Sequence, residues 1–129
     1  MHIAQNLAEL QVLSEHFIKK QTQGVSDNEF KVMTILKAYG ECSPKILIAK
    51  IGILKTNLAH VLKKLIAEGL VCSRENVQDS RSKMYALTNE GEERLAKIHE
   101  EIRRGLFGVV NDDLGYALEI TLSALNKKL

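Results

Sequence analysis

A mainly α-helical fold with one small β-hairpin is predicted by three features of this 129-residue sequence. Apolar residues recur at helical spacing through most of its length. Helix caps and stops punctuate the chain in pairs, Ser26 with Glu29, Ser43 with Pro44, and Thr88, against Gly24, Gly40 and Gly69. Only two short stretches, at 70–74 and 84–87, read as strands, and a polar run separates them.

Each element follows from local chemistry. Over residues 2–22, Ile3, Leu7, Leu10, Ser14 and Phe17 share one helical face, with Leu13 and Ile18 beside it, and Gly24 closes the segment. Ser26 and Glu29 form a capping box for a second helix whose apolar face is Phe30, Met33, Ile35 and Leu36, with Tyr39 near its end at Gly40. Ser43 and Pro44 open a short third helix over 44–50, carrying Ile46, Leu47 and Ile48, because Pro at the first helical position gives up an N–H that has no partner there. Ile51-Gly52-Ile53 breaks the chain, and a fourth helix runs from 55 to 68. The seven residues from Asn76 to Ser82 link the two strands as a hairpin loop. Thr88 caps a long helix over 89–108 with Leu95, Ile98, Ile102 and Leu106 inward. Asn111 or Asp112 caps a last helix over 113–127, where Leu118, Leu122, Leu125 and Leu129 form a helix–helix seam.

Length and composition bound the function. The chain is one domain, too short for a barrel or doubly wound enzyme and long enough to bury a core without metals or disulfides. Apolar residues at 45% and charged residues at 26% exclude a disordered chain. Cys42 and Cys72 fit no metal or redox spacing, and His2, His16, His60 and His99 are scattered, so no metal and no cofactor is expected. Glu41 beside Cys42 discourages a thiolate, and Cys72 is expected to face the core from its strand. No phosphate loop, nucleophile elbow or metalloprotease motif is present, and Glu92-Glu93 and Glu100-Glu101 sit on a solvated helix face, so the chain is not expected to be an enzyme. Without a signal sequence or a membrane span, a cytoplasmic protein with reduced thiols and no membrane partner is expected.

The formal net charge of +2 conceals a segregation. Residues 43–88 carry eight basic and three acidic side chains, a net of +5, between flanks of −1 and −2. A basic middle is the footprint of a polyanion-binding surface. Short helix, turn, helix and basic hairpin, in that order, make a winged helix-turn-helix, an arrangement that reads double-stranded DNA. On the fourth helix Leu58, Val61, Leu62 and Leu65 face inward, leaving Lys55, Thr56, Asn57, Ala59, His60, Lys63 and Lys64 for the duplex. Small polar residues near its start suit base edges, and the lysines suit phosphate. Lys45 on the third helix and Arg74, Asp79, Arg81 and Lys83 on the hairpin complete the candidate set. Arg81 is expected at the hairpin tip, aimed at a narrow minor groove, with Asp79 either holding its guanidinium or capping the turn.

Residues Ile51 to Val71, then Asp79-x-Arg81, then Leu87-Thr88-x-x-Gly91, resemble the MarR family of bacterial and archaeal regulators, in register and without a gap. The resemblance implies a homodimer held by the first helix and the last two, with one winged lobe per half of a palindromic operator. It implies a sequence-specific transcription regulator, a repressor in its expected sense, released by a small anionic, often phenolic effector or by an oxidant. The chain then divides into a dimerisation helix over 1–25, a DNA-binding lobe over 26–91 and dimerisation helices over 92–129, within one structural domain. Leu7, Leu106, Phe107, Leu114, Leu118, Leu122 and Leu125 are the expected dimer contacts. The apolar residues between Leu106 and Leu122, with Val109 and Val110 among them, exceed what a short C-terminal helical hairpin buries on a monomer. Phe17, Phe30 and Tyr39 are candidates to line an effector cleft, although as core residues they need no such role. The chain departs from the family pattern at Leu54, where a capping Ser is common, at His60, where Arg is common, and at Lys63, where an acidic residue is frequent. The rival reading is a winged-helix protein-interaction module or antirepressor that binds no DNA, against which the basic hairpin weighs.

Overall fold

The structure, a computed structural model, describes residues 2–22, 24–79, 81–107 and 112–128, and of residues 107, 112–115 and 118 only the backbone course. The order among the described residues is α1 (Ile3–Gln21), α2 (Asp27–Tyr39), α3 (Pro44–Ile51), α4 (Lys55–Ala67), β1 (Val71–Glu75), β2 (Lys83–Leu87), α5 (Asn89–Phe107) and α6 (Asp112–Lys128). These are the expected elements, with ends moved by a residue or so. The N-cap position of α6 lies outside the described residues, as do Val109, Val110 and Leu129.

The caps act as the sequence predicts, with one exception. Ser26 Oγ accepts from Glu29 N at 3.1 Å and Ser43 Oγ accepts from Ile46 N at 3.3 Å. The capping box at Ser26 is only half closed, however. The Glu29 carboxylate turns inward instead of reaching back to its own helix terminus, and the residue is 3% exposed. Leu54 caps α4 without a side-chain hydrogen bond, as a Leu must. At the other end of α4, Leu70 N donates to Leu65 O and Gly69, with φ of 77°, turns the chain out of the helix.

The core is one cluster. Val32, Met33 and Leu36 from α2, Leu47 from α3, Leu58, Leu62 and Leu65 from α4, Val71 from β1 and Leu95 from α5 are all buried together. β1 and β2 pair antiparallel with Val71 opposite Leu87 and Glu75 opposite Lys83. The structure adds a rung that periodicity does not reveal. Cys42 and Tyr85 exchange both backbone hydrogen bonds at 2.9 Å, tying the turn before α3 to the hairpin. A single paired residue has no alternation to show in a sequence.

Cys72 is a correction. The sequence places it toward the core, but Val71 takes the inward position and Cys72, the next residue on a pleated strand, is exposed. Cys42 is buried, and that burial pushes its thiol pKa up.

A second tight junction seats α5. Thr88 Oγ1 donates to Gly69 O at 2.6 Å and accepts from Gly91 N at 3.0 Å. Thr88 N donates to Leu70 O at 3.1 Å, and a Cβ on Gly91 would press into that same carbonyl. Gly91 is thus required by close approach rather than by a special φ.

Two outcomes are expected. Gly91→Ala should destabilise the fold by about 3 kcal/mol, because the obstacle is backbone and overpacking of this kind is not relieved by a rotamer change; urea denaturation measures it, and a loss near zero would show that α5 can shift. Iodoacetamide at about pH 8 should alkylate Cys72 in the folded protein and Cys42 only after denaturation, as mass spectrometry would report; equal rates would contradict the burial of Cys42.

Candidate nucleic-acid interface

The second helix of the helix-turn-helix, α4, buries Leu58, Leu62 and Leu65 and so turns a defined face outward. With about 100° between successive residues, Thr56, His60 and Lys63 lie opposite the core, flanked on one side by Lys55 and Ala59 and on the other by Asn57 and Lys64. All seven are exposed. The face has no bulky apolar residue at its centre, and Thr56 and Ala59 keep it low enough for close approach to a groove. Lys45 is exposed on α3.

The hairpin loop is stiffened by its own side chains. Asn76 N donates to Ser82 O, Asp79 N to Asn76 O and Ser82 N to Asp79 O, each at 3.2 Å. Asn76 Oδ1 accepts from Gln78 N at 3.0 Å, and Asp79 Oδ1 accepts from Arg81 N at 3.0 Å. Of the two roles expected for Asp79, the structure shows the turn cap: its carboxylate holds the backbone of Arg81. The Arg81 side chain is left exposed, with no ion-pair partner among the described residues. Lys83 is exposed at the start of β2. Val77 in the same loop is 91% exposed, an apolar side chain at the tip that the sequence reading passed over; its signal is a lone β-branched residue in an otherwise polar turn.

Two residues from the expected DNA set face internal partners. Arg74 forms a forked pair with Glu41, its Nε at 2.8 Å from Oε2 and its Nη2 also on that oxygen, while its Nη1 donates to Glu75 O at 3.0 Å. The Arg74 guanidinium holds the Glu41 carboxyl below the usual carboxylate range, and Glu41 in turn raises Arg74. The pair straps β1 to the turn before α3. Lys64 Nζ lies 2.7 Å from Glu29 Oε1 and 3.9 Å from Glu68. These cations are spent within the lobe, whereas Lys63 and Arg81 are not.

The effector-cleft candidates are not gathered by the contacts seen. Phe17 lies against Gly105 of α5, Phe30 makes an edge contact with His99 at 6.2 Å, and Tyr39 is exposed with Lys50 Nζ 4.8 Å from its ring centre. Of the expected dimer contacts, Leu7 is 61% exposed, and Leu106, Leu122 and Leu125 are also exposed. The side chains of Phe107, Leu114 and Leu118 lie outside the described residues. α1 has no buried residue, and every described side chain of α6 is exposed.

A short helix-turn-helix whose second helix is outward-facing, followed by a stiff basic hairpin, is a winged helix-turn-helix. The model of the MarR family matches residues 25–83, the winged lobe of this chain. It is similar to the uncharacterized HTH-type transcriptional regulator YdgJ of Bacillus subtilis (strain 168), at 30% identity over 81 residues, which are 63% of this chain and 49% of that protein. The chain therefore aligns with about half the length of this relative. Wild-type MarR of E. coli in its apo form matches with a TM-score of 0.81 and 17% identity, over 97% of this chain and 96% of that one. BpsR of Bordetella bronchiseptica, described for regulation of its DNA binding by 6-hydroxynicotinic acid, matches with a TM-score of 0.66 and 19% identity, over 96% and 92% of the two chains. At these identities the structural likeness establishes the fold.

Asp79→Ala should loosen the loop while costing the fold about 1 kcal/mol or less, since it removes one exposed hydrogen bond. Faster amide exchange at Arg81 and Ser82 is the readout, and unchanged protection there would show that the backbone bonds suffice.

Proposed function

We propose that this chain is a sequence-specific DNA-binding transcription regulator that acts in the cytoplasm as a homodimer on a palindromic operator, in the sense of a repressor. The observation that carries the proposal is the pairing, on one lobe, of an outward α4 face bearing Lys55, Thr56, Asn57, His60 and Lys63 with an uncommitted Arg81 on a braced loop. In this reading α4 enters the major groove, Asn57 and Thr56 meet base edges, Lys63 meets phosphate, and Arg81 reaches the flanking minor groove. Lys45 and Lys83 add backbone contacts at the two sides of the lobe.

The dimer is supported by the apolar residues left open on α1 and α6. Ile3, Leu7 and Leu10 lie on one face of α1, and Ile120, Leu122 and Leu125 are exposed on α6. Solvated leucines in such number are what a second copy covers. The described helices include none long and apolar enough to cross a membrane. A small anionic effector that releases the DNA is part of the same reading, in keeping with the effector named for BpsR.

Selection of bound duplexes from a random pool tests the proposal directly. A palindrome with half-sites about one helical turn apart is expected; failure to bind any duplex at low salt would leave a protein-interaction module as the better account. On the selected duplex, Arg81→Ala should weaken binding by about 1–3 kcal/mol while the protein still sediments as a dimer. Wild-type affinity in that variant would remove the wing from the interface.

A further inference from the structure

We propose that Glu29 is a positioning residue for the recognition helix: it holds Lys64 against α2, so that Lys64 seats α4 in the lobe instead of neutralising a phosphate. The proposal rests on the DNA-binding reading above and changes which cations belong to it.

The Glu29 side chain is 4% exposed, whereas that of Lys64 is 55% exposed. A carboxylate so deeply buried is tolerated only when a cation or several donors compensate it. Ser26 Oγ accepts from Glu29 N, and no hydrogen bond from that hydroxyl to the carboxylate is present among the described residues. Lys64 supplies the one ion pair, at 2.7 Å, and Glu29 Oε2 has no hydrogen-bond partner among the described residues. Glu29 therefore depends on Lys64 alone. Lys64 is drawn the same way, because Glu29 first and Glu68 second face the ammonium and raise its pKa. If Lys64 swung out to a phosphate it would strand an anion in the lobe. Lys63 has no such obligation, since no ion pair among the described residues involves it.

Geometry explains why this pair bears on DNA. Glu29 lies in the first turn of α2 and Lys64 in the last turn of α4. Both helices contribute to the same core through Val32, Met33, Leu62 and Leu65. Apolar packing alone permits a helix to roll slightly about its axis. A single short ion pair across the two helices selects one roll, and the roll of α4 sets whether Thr56, Asn57 and His60 all reach base edges together.

The test compares four single variants and one double variant of the full chain with wild type, first on a mixed-sequence duplex across a salt series and then on the duplex selected by wild type. Each phosphate neutralised contributes about 0.9 to the slope of log K against log salt. K63Q should flatten that slope by about this amount, and K64Q should leave it unchanged. E29Q frees Lys64, so the slope should steepen while the preference for the selected duplex over the mixed one falls several-fold. K64R keeps the pair and should restore wild-type preference, which a merely stabilising role would not require. A slope that flattens in K64Q as it does in K63Q would overturn the proposal, as would unchanged preference in E29Q. If K64Q fails to fold, the double variant E29Q/K64Q removes the buried charge and reads the same slope. Thermal melting of the two singles and the double separates the ion pair from the DNA reading. A double variant no less stable than K64Q demonstrates the clamp even if wild type binds no duplex, and additive losses refute it.

Discussion

The junction at Gly69, Leu70, Thr88 and Gly91 is the constraint on which the molecule turns. Four segments meet there: the end of α4, the start of β1, the end of β2 and the first turn of α5. Thr88 spends its hydroxyl twice, donating to Gly69 O and accepting from Gly91 N, while its own N–H goes to Leu70 O. Gly91 allows the helix to sit directly on that carbonyl. α4, the hairpin and α5 are thereby fixed in relation to one another through a few backbone groups. A regulator of the proposed kind needs those three angles to be correct together, because a duplex presents its grooves at fixed spacing.

Around that junction the lobe is braced by charge as well as by apolar packing. The strap from Arg74 to Glu41 draws the hairpin onto the turn before α3, and the rung between Cys42 and Tyr85 runs beside it. Glu41 has a depressed pKa, so its contribution is complete above the ordinary carboxylate range and is lost as pH falls through the lowered value. Both partners are about half exposed, which keeps the stabilising effect modest and makes orientation the more important consequence. The basic character of residues 43–88 is thus divided between cations that hold the lobe together and cations left for a polyanion.

Much of this was legible in the sequence because the deciding physics is local. Ser26, Ser43, Thr88, Gly40 and Gly69 mark helix ends through hydrogen bonds spanning a few residues, and apolar spacing selects the buried faces of α2 and α4. The exposed face of α4, from Thr56 to Lys63, follows from the same period. The tip loop was legible too, since Asp79 and Asn76 bond to backbone within a few positions.

What escaped the sequence is what depends on distant partners. Glu29 and Lys64 are thirty-five positions apart, and Arg74 and Glu41 thirty-three. No pattern within either segment shows that a capping glutamate will turn inward, or that a strand arginine will be claimed by a turn. The inward side of β1 was misjudged at Cys72 because a strand of five residues is decided by which neighbour the core accepts, and the core accepts Val71. The chain alone determined its helices, its hairpin and the basic segment they carry, since caps, turns and periodicity act over a few residues. Only the tertiary structure decided which charges remain available and how α4, the wing and α5 are set, because those are settled by side chains that meet across the fold.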